Sequence, residues 1–86
     1  CTVIEPACGE GSFLEAAARV FGKDVPCYGF DINAEYVAHA QKRLSHCHPT
    51  ATVHLRIQNF FTFDWDAFLQ DRTAPILFLG NPPWVT

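Results

Sequence analysis

The chain has 86 residues, 49% of them hydrophobic and 17% charged, which is enough for one small packed domain and too apolar for a disordered segment. Its net charge is −3, and its six basic residues (Arg19, Lys23, Lys42, Arg43, Arg56, Arg72) are scattered, so the segment does not read as a nucleic-acid-binding surface by itself. No apolar run approaches the roughly 20 residues that cross a bilayer, and no membrane partner is expected.

In chain order, strand-like and helix-like stretches alternate. Thr2-Val3-Ile4 is an apolar strand ending at Glu5. A helix begins at Ser12, where Ser12 and Glu15 have the spacing of a capping box. Leu14, Ala17, Ala18 and Phe21 form its apolar stripe, and Gly22 stops it. Cys27 to Phe30 is a second strand ending at Asp31. Asn33 is a good cap for the next helix, whose stripe is Tyr36, Val37, Ala40 and Leu44. Val53, Leu55 and Ile57 alternate with polar residues, as on a strand with one wet face near a sheet edge. Asp64 to Gln70 is a short helix. Ile76 to Leu79 is apolar throughout, as expected of a central parallel strand buried on both faces.

Cys1, Cys8, Cys27 and Cys47 are widely spaced and contain no C-x-x-C pair, so no disulfide framework is expected and a reduced, cytoplasmic setting is. His46-Cys47-His48 reads as a polar helix end before Pro49, and no metal is expected. With no methionine and a strand at its very start, the chain is expected to be a piece of a longer protein.

Strands alternating with helices predict an α/β unit with a parallel sheet. In such sheets ligands bind beyond the carboxyl ends of the strands. Glu5, Asp31, Asn59 and Asn81 stand at those four ends. "EPACGEGSFL" (Glu5 to Leu14) follows a strand and opens a helix, with Gly9 and Gly11 free to turn tightly and approach a ligand. Asp31 ends the next strand, where a carboxylate can accept both hydroxyls of a ribose. A dinucleotide fingerprint would carry a third Gly or Ala where this chain has Leu14. The leucine, together with Glu5 and Glu10 near the loop, favours a nucleoside cofactor without phosphates.

At these residues the sequence resembles the S-adenosylmethionine-dependent amino-methyltransferases, above all the adenine-N6 DNA methyltransferases of restriction–modification systems. "EPACGEGSFL" looks like their cofactor loop, "GFDIN" their ribose-binding acid, "QNFF" their third motif, and "NPPW" their catalytic [DNS]-P-P-[YFW] tetrapeptide. The four occur in the family's order, and the match covers nearly the whole chain. The resemblance implies a Rossmann-like class I methyltransferase fold. Residues 1–86 would be the cofactor-binding half of the catalytic domain with its catalytic loop.

It further implies that Glu5, Ala7, Gly9 and Gly11 surround the methionine moiety and its sulfonium, and that Asp31 holds the ribose. Ile32 and Phe60 would pack on the adenine ring, and Asn59 would contact its amino group. Ala7 stands where many methyltransferases have glycine, and Asn59 where relatives more often have Asp; an amide can also accept a hydrogen bond. Asn81, Pro82, Pro83 and Trp84 would be the catalytic group. The Asn81 side-chain oxygen and the Pro82 carbonyl would hold an amino group, and Trp84 would stack on the target base. DNA would be the partner, bound through regions outside this segment. N-P-P alone also fits protein-glutamine and RNA-adenine methyltransferases, and a non-catalytic cofactor-binding domain is a third alternative.

Overall fold

The computed structural model describes residues 1–72 and 75–79. The elements are β1 (Thr2–Glu5), α1 (Ser12–Phe21), β2 (Cys27–Asp31), α2 (Ala34–Cys47), β3 (Val53–Ile57), α3 (Trp65–Gln70) and β4 (Ile76–Phe78). All strand pairs are parallel and the sheet order is β3-β2-β1-β4. β1 is therefore interior, and the chain order reverses beside it, between β1 and β4. That is the switch point at which open α/β sheets hold ligands.

Alternation along the strands sends neighbouring residues to opposite faces. Val3 and Cys27 join Leu14, Ala17 and Ala18 of α1 and Leu44 of α2 in one core. Ile4 and Phe30 join Phe68 of α3 in the other. On that second face Phe30 meets Phe63, Trp65 and Phe68 at centroid distances of 5.1, 5.0 and 5.3 Å. Such tilted and edge-on ring pairs contribute roughly 0.5–1.5 kcal/mol each beyond the area they bury. Trp65 also donates its indole N–H to the Phe60 carbonyl at 2.9 Å, anchoring the segment after β3 to α3.

Gly29 lets α1 approach the sheet. A Cβ there would meet Leu14 Cδ1 at 2.3 Å and Leu55 Cδ2 at 2.7 Å. Close helix–strand packing, which a dinucleotide fingerprint obtains from a small residue on the helix, is obtained here by a missing side chain on β2. Leu14 fills the space and is fully buried.

Two expectations need correction. Ser12 and Glu15 form no capping box: the N-cap is Gly11, in the left-handed region at φ 91°, without a side-chain cap. That backbone places Ser12 in the first helical turn. Its hydroxyl instead accepts from Arg43 at 3.4 Å, and Glu15 pairs with Arg19 and Arg43. β4 is not buried on both faces: Leu77 and Phe78 are 43% and 50% exposed. Among the described residues β4 has a sheet neighbour on one side only, β1. Asn33 caps α2 as expected, its Oδ1 accepting from the Glu35 and Tyr36 amides. Tyr36, however, lies outside the buried stripe.

Candidate functional site

Glu5 ends β1, and the chain leaves the sheet in a loop over residues 6–11. Two bonds fasten that loop to β2. The Cys8 amide donates to the Phe30 carbonyl at 2.7 Å, and the Gly9 amide donates to Asp31 Oδ2 at 2.9 Å. Gly9 and Gly11 have φ of 56° and 91°, where an L side chain is strained. At Gly11 space is short as well, since a Cβ would lie 3.1 Å from Ala40 Cβ on α2.

Asp31 is bonded on both sides. Its Oδ1 accepts the Asn33 amide at 2.9 Å while Oδ2 holds Gly9. Each oxygen keeps a second acceptor site, so the carboxylate can still receive two hydroxyls. Beyond β3, Asn59 organises the next turn. Its Oδ1 accepts the Phe61 amide at 2.9 Å, and its backbone carbonyl accepts the Phe63 amide at 3.0 Å.

These three segments enclose a cleft of about 410 Å³. Pro6 and Ala7 line it from the loop, Asp31 and Ile32 from the end of β2, and Gln58, Asn59, Phe60 and Phe61 from the turn after β3. One carboxylate and two amides face an otherwise apolar lining, the pattern of a small-molecule site.

Glu5 is 2% exposed, and its Oε1 is buried without a hydrogen-bond partner. Burial raises its pKa from 4.5 to about 7; a bond from the Leu14 backbone opposes the shift, and the Asp31 charge adds to it. Burial, with the Asp31 and Glu5 charges, also pushes the Cys8 thiol up to about 12. A buried carboxylate with an unpartnered oxygen beside a second carboxylate suits a cationic ligand and disfavours an anionic one. Together with the cleft, these residues fit a positively charged nucleoside cofactor.

A family model for a methyltransferase domain matches residues 1–74. This chain belongs to that family. The type II methyltransferase M.NspV from Nostoc sp. is 32% identical to it over 84 residues, which is 98% of this chain and 17% of that protein. The chain thus spans a small part of the curated relative's length. Among solved structures, a proposed rRNA methylase from Clostridium thermocellum superposes with a TM-score of 0.62 at 28% identity, covering 67% of this chain and 32% of that one. An RNA methyltransferase from Salinibacter ruber, in complex with S-adenosyl-L-homocysteine, gives 0.64 at 24% identity, covering 73% and 40%. The fold is the Rossmann-like class I methyltransferase fold.

In this methyltransferase domain the predicted cofactor residues fall into two groups. Ala7, Asp31, Ile32, Asn59 and Phe60 line the cleft together. Glu5, Gly9 and Gly11 shape the loop beside it. Asn81, Pro82, Pro83 and Trp84 lie outside the described residues. Sequence reasoning missed Pro6, Gln58 and Phe61 as lining residues. Phe63 packs against the core cluster, whereas Phe61 is 67% exposed. A pair of adjacent aromatics cannot both face inward where the chain turns, and the Asn59 Asx-turn was the available signal. Among the described residues, no group of three or more His, Cys, Asp or Glu side chains is placed to hold a metal, and no helix is long and apolar enough to cross a membrane.

Proposed function

We propose that this domain transfers a methyl group from S-adenosylmethionine to the exocyclic N6 amino group of adenine in DNA, as part of a restriction–modification type enzyme. Bound S-adenosylmethionine would supply a methyl group activated by a sulfonium. Asp31 accepts the ribose hydroxyls on the lone pairs that the Gly9 and Asn33 amides leave free. Ile32, Phe60 and Phe61 give a flat ring apolar walls, and Asn59 offers an amide at its polar edge. Buried Glu5 places a carboxylate where positive charge is to be held. Asn81 and the Pro82 carbonyl accept the two N–H groups of the target amine and aim its lone pair. A proline ring restricts φ to near −65°, so acceptors carried on an N-P-P segment would need little reorganisation. Trp84 stacks on the extruded base, which offsets part of the stacking lost on flipping.

The observation that supports this reading most is the hydrogen bond from the Leu79 amide to the Ile4 carbonyl at 2.8 Å. It brings the chain, two residues before Asn81, to the side of Glu5 at the switch point. The similarity to M.NspV runs over 84 residues and supports DNA as substrate.

The test uses the intact protein with labelled S-adenosylmethionine and duplex DNA, RNA and protein offered in parallel. Label should enter adenine N6 of DNA. Asn81→Ala should reduce transfer by at least about 100-fold, the scale of losing a preorganised polar group, while cofactor affinity stays unchanged. Full activity in that variant would refute the mechanism. Label in RNA alone would favour the second reading, RNA adenine methylation.

A further inference from the structure

The sheet face that carries α3 holds a second cluster, apart from the cleft. Tyr28 and His54 are register partners across β2 and β3, and their rings stack with centroids 4.9 Å apart. Arg56 follows His54 by one alternation and shares its face. Arg72, just after α3, lays its guanidinium over Phe68 at 4.2 Å and over Tyr28 at 4.9 Å. Its Nη1 donates to the Tyr28 hydroxyl at 3.2 Å. The Arg56 guanidinium lies 5.6 Å from the same Phe68 ring. An open hollow of about 440 Å³ is bounded by Tyr28, Gln41, His54, Arg56 and Arg72.

Two guanidiniums gathered around one ring repel each other unless an anion is near. None of the residues lining the hollow is Asp or Glu. Among the described residues both ion pairs are made by Glu15, with Arg19 and Arg43, and neither Arg56 nor Arg72 takes part. Arg72 Nε is buried without an acceptor. This occurs in a chain with three more acidic than basic residues, where carboxylates are not scarce. The rings hold Arg72 flat, which limits the side-chain entropy it would lose on binding. Guanidinium forks match the oxygens of a phosphate. Beside them His54 is exposed and Tyr28 half-buried, so an aromatic surface for a base adjoins the positive charge.

We propose that Arg56 and Arg72, with Tyr28 and His54, form a phosphate-binding site separate from the cofactor cleft, taking the phosphate of a nucleotide or of a nucleic-acid strand. The proposal does not depend on which substrate is methylated.

The experiment uses the intact protein and three probes: inorganic phosphate, a nucleoside 5′-monophosphate, and a short thymidine oligonucleotide carrying iodouracil. The arginine Nε–Hε resonances of Arg56 and Arg72 are followed during titration with the first two. Photo-crosslinks to the third are mapped by mass spectrometry. Saturable shifts at both arginines are expected, with an adduct on Tyr28 or His54. Arg56→Gln, an exposed change that leaves the aromatic stack intact, should weaken each interaction about fivefold or more and reduce the salt slope for the oligonucleotide by about 0.7. Arg72→Lys, which keeps the charge and loses the fork, should weaken binding less. Calorimetry should give both variants unchanged affinity for S-adenosylmethionine. Saturable shifts without an adduct would assign the site to small phosphates. Absence of both shifts and adduct, or undiminished binding in Arg56→Gln, would overturn the proposal.

Discussion

Gly9 and Asp31 are joined by a 2.9 Å hydrogen bond in which the loop amide donates to the carboxylate Oδ2. The acid read as a ribose acceptor is therefore also the clasp that holds the glycine loop against β2. Binding and local stability are coupled through one side chain. Asp31→Ala should lower unfolding free energy by about 2 kcal/mol or more, since two amides lose a charged acceptor. It should weaken cofactor binding about tenfold or more. Asp31→Asn keeps one acceptor oxygen and should recover part of the stability but little of the affinity. Denaturant unfolding and calorimetry read the two effects separately. An Asp31→Ala protein as stable as its parent would show that the loop does not depend on this bond.

Gly29 and Leu14 make a paired packing prediction. Gly29→Ala places a methyl group on Leu14 Cδ1 and Leu55 Cδ2, so overpacking should destabilise the domain by about 1–3 kcal/mol. Leu14→Ala alone leaves a cavity and should cost about 2–5 kcal/mol. In the double variant the new methyl partly fills that cavity, so the combined loss should be smaller than the two single losses together. Additive losses in a double-mutant cycle would mean that the two residues do not share this space.

Cys8 is buried and its thiol is pushed up to about 12, while Cys47 is exposed. Only a thiolate alkylates readily. Iodoacetamide at pH 8 should therefore modify Cys47 in the native protein and leave Cys8 intact, with Cys8 reacting after denaturation. Peptide mass mapping reads both. Equal labelling of the two in the native state would show that the loop over residues 6–11 opens readily.

How much of this was legible in the sequence depended on the range of the interaction. Periodicity placed the strands and helices, and the polar residues Glu5, Asp31 and Asn59 were legible as a group at or just beyond the carboxyl ends of β1, β2 and β3. Local rules failed where the backbone took over. Gly11 at a positive φ displaced the capping box that Ser12 and Glu15 spell out. The role of Gly29 needed the depth to which Leu14 reaches, which no local pattern contains. The Arg56–Arg72 cluster required the register that sets Tyr28 beside His54 and the return of the chain after α3. As a string, the six basic residues look scattered. The apolar run Ile76 to Leu79 gives a strand but not what covers it, so it could not distinguish a strand buried on both faces from one whose Leu77 and Phe78 are half-exposed.

Burial raises the pKa of Glu5 from 4.5 to about 7. A carboxyl with a raised folded-state pKa binds its proton more tightly when folded. The folded state is thus favoured while the group is protonated in both states, below about pH 4.5, and loses that advantage as pH rises through 7. Stability from this group should therefore fall between those limits and level off above them. Glu5→Gln removes the titration and should flatten that part of the profile. At pH 8 it should be the more stable protein, by on the order of 2 kcal/mol. Cofactor binding should show the opposite preference, because a sulfonium cation favours ionised Glu5. Affinity for S-adenosylmethionine should rise from pH 6 to pH 8 in the parent, with proton release visible as a buffer-dependent heat. In Glu5→Gln both the rise and the proton release should vanish. A parent whose affinity is flat over this range would place the positive charge of the cofactor away from Glu5. A stability profile unchanged by Glu5→Gln would show that the carboxyl does not titrate there.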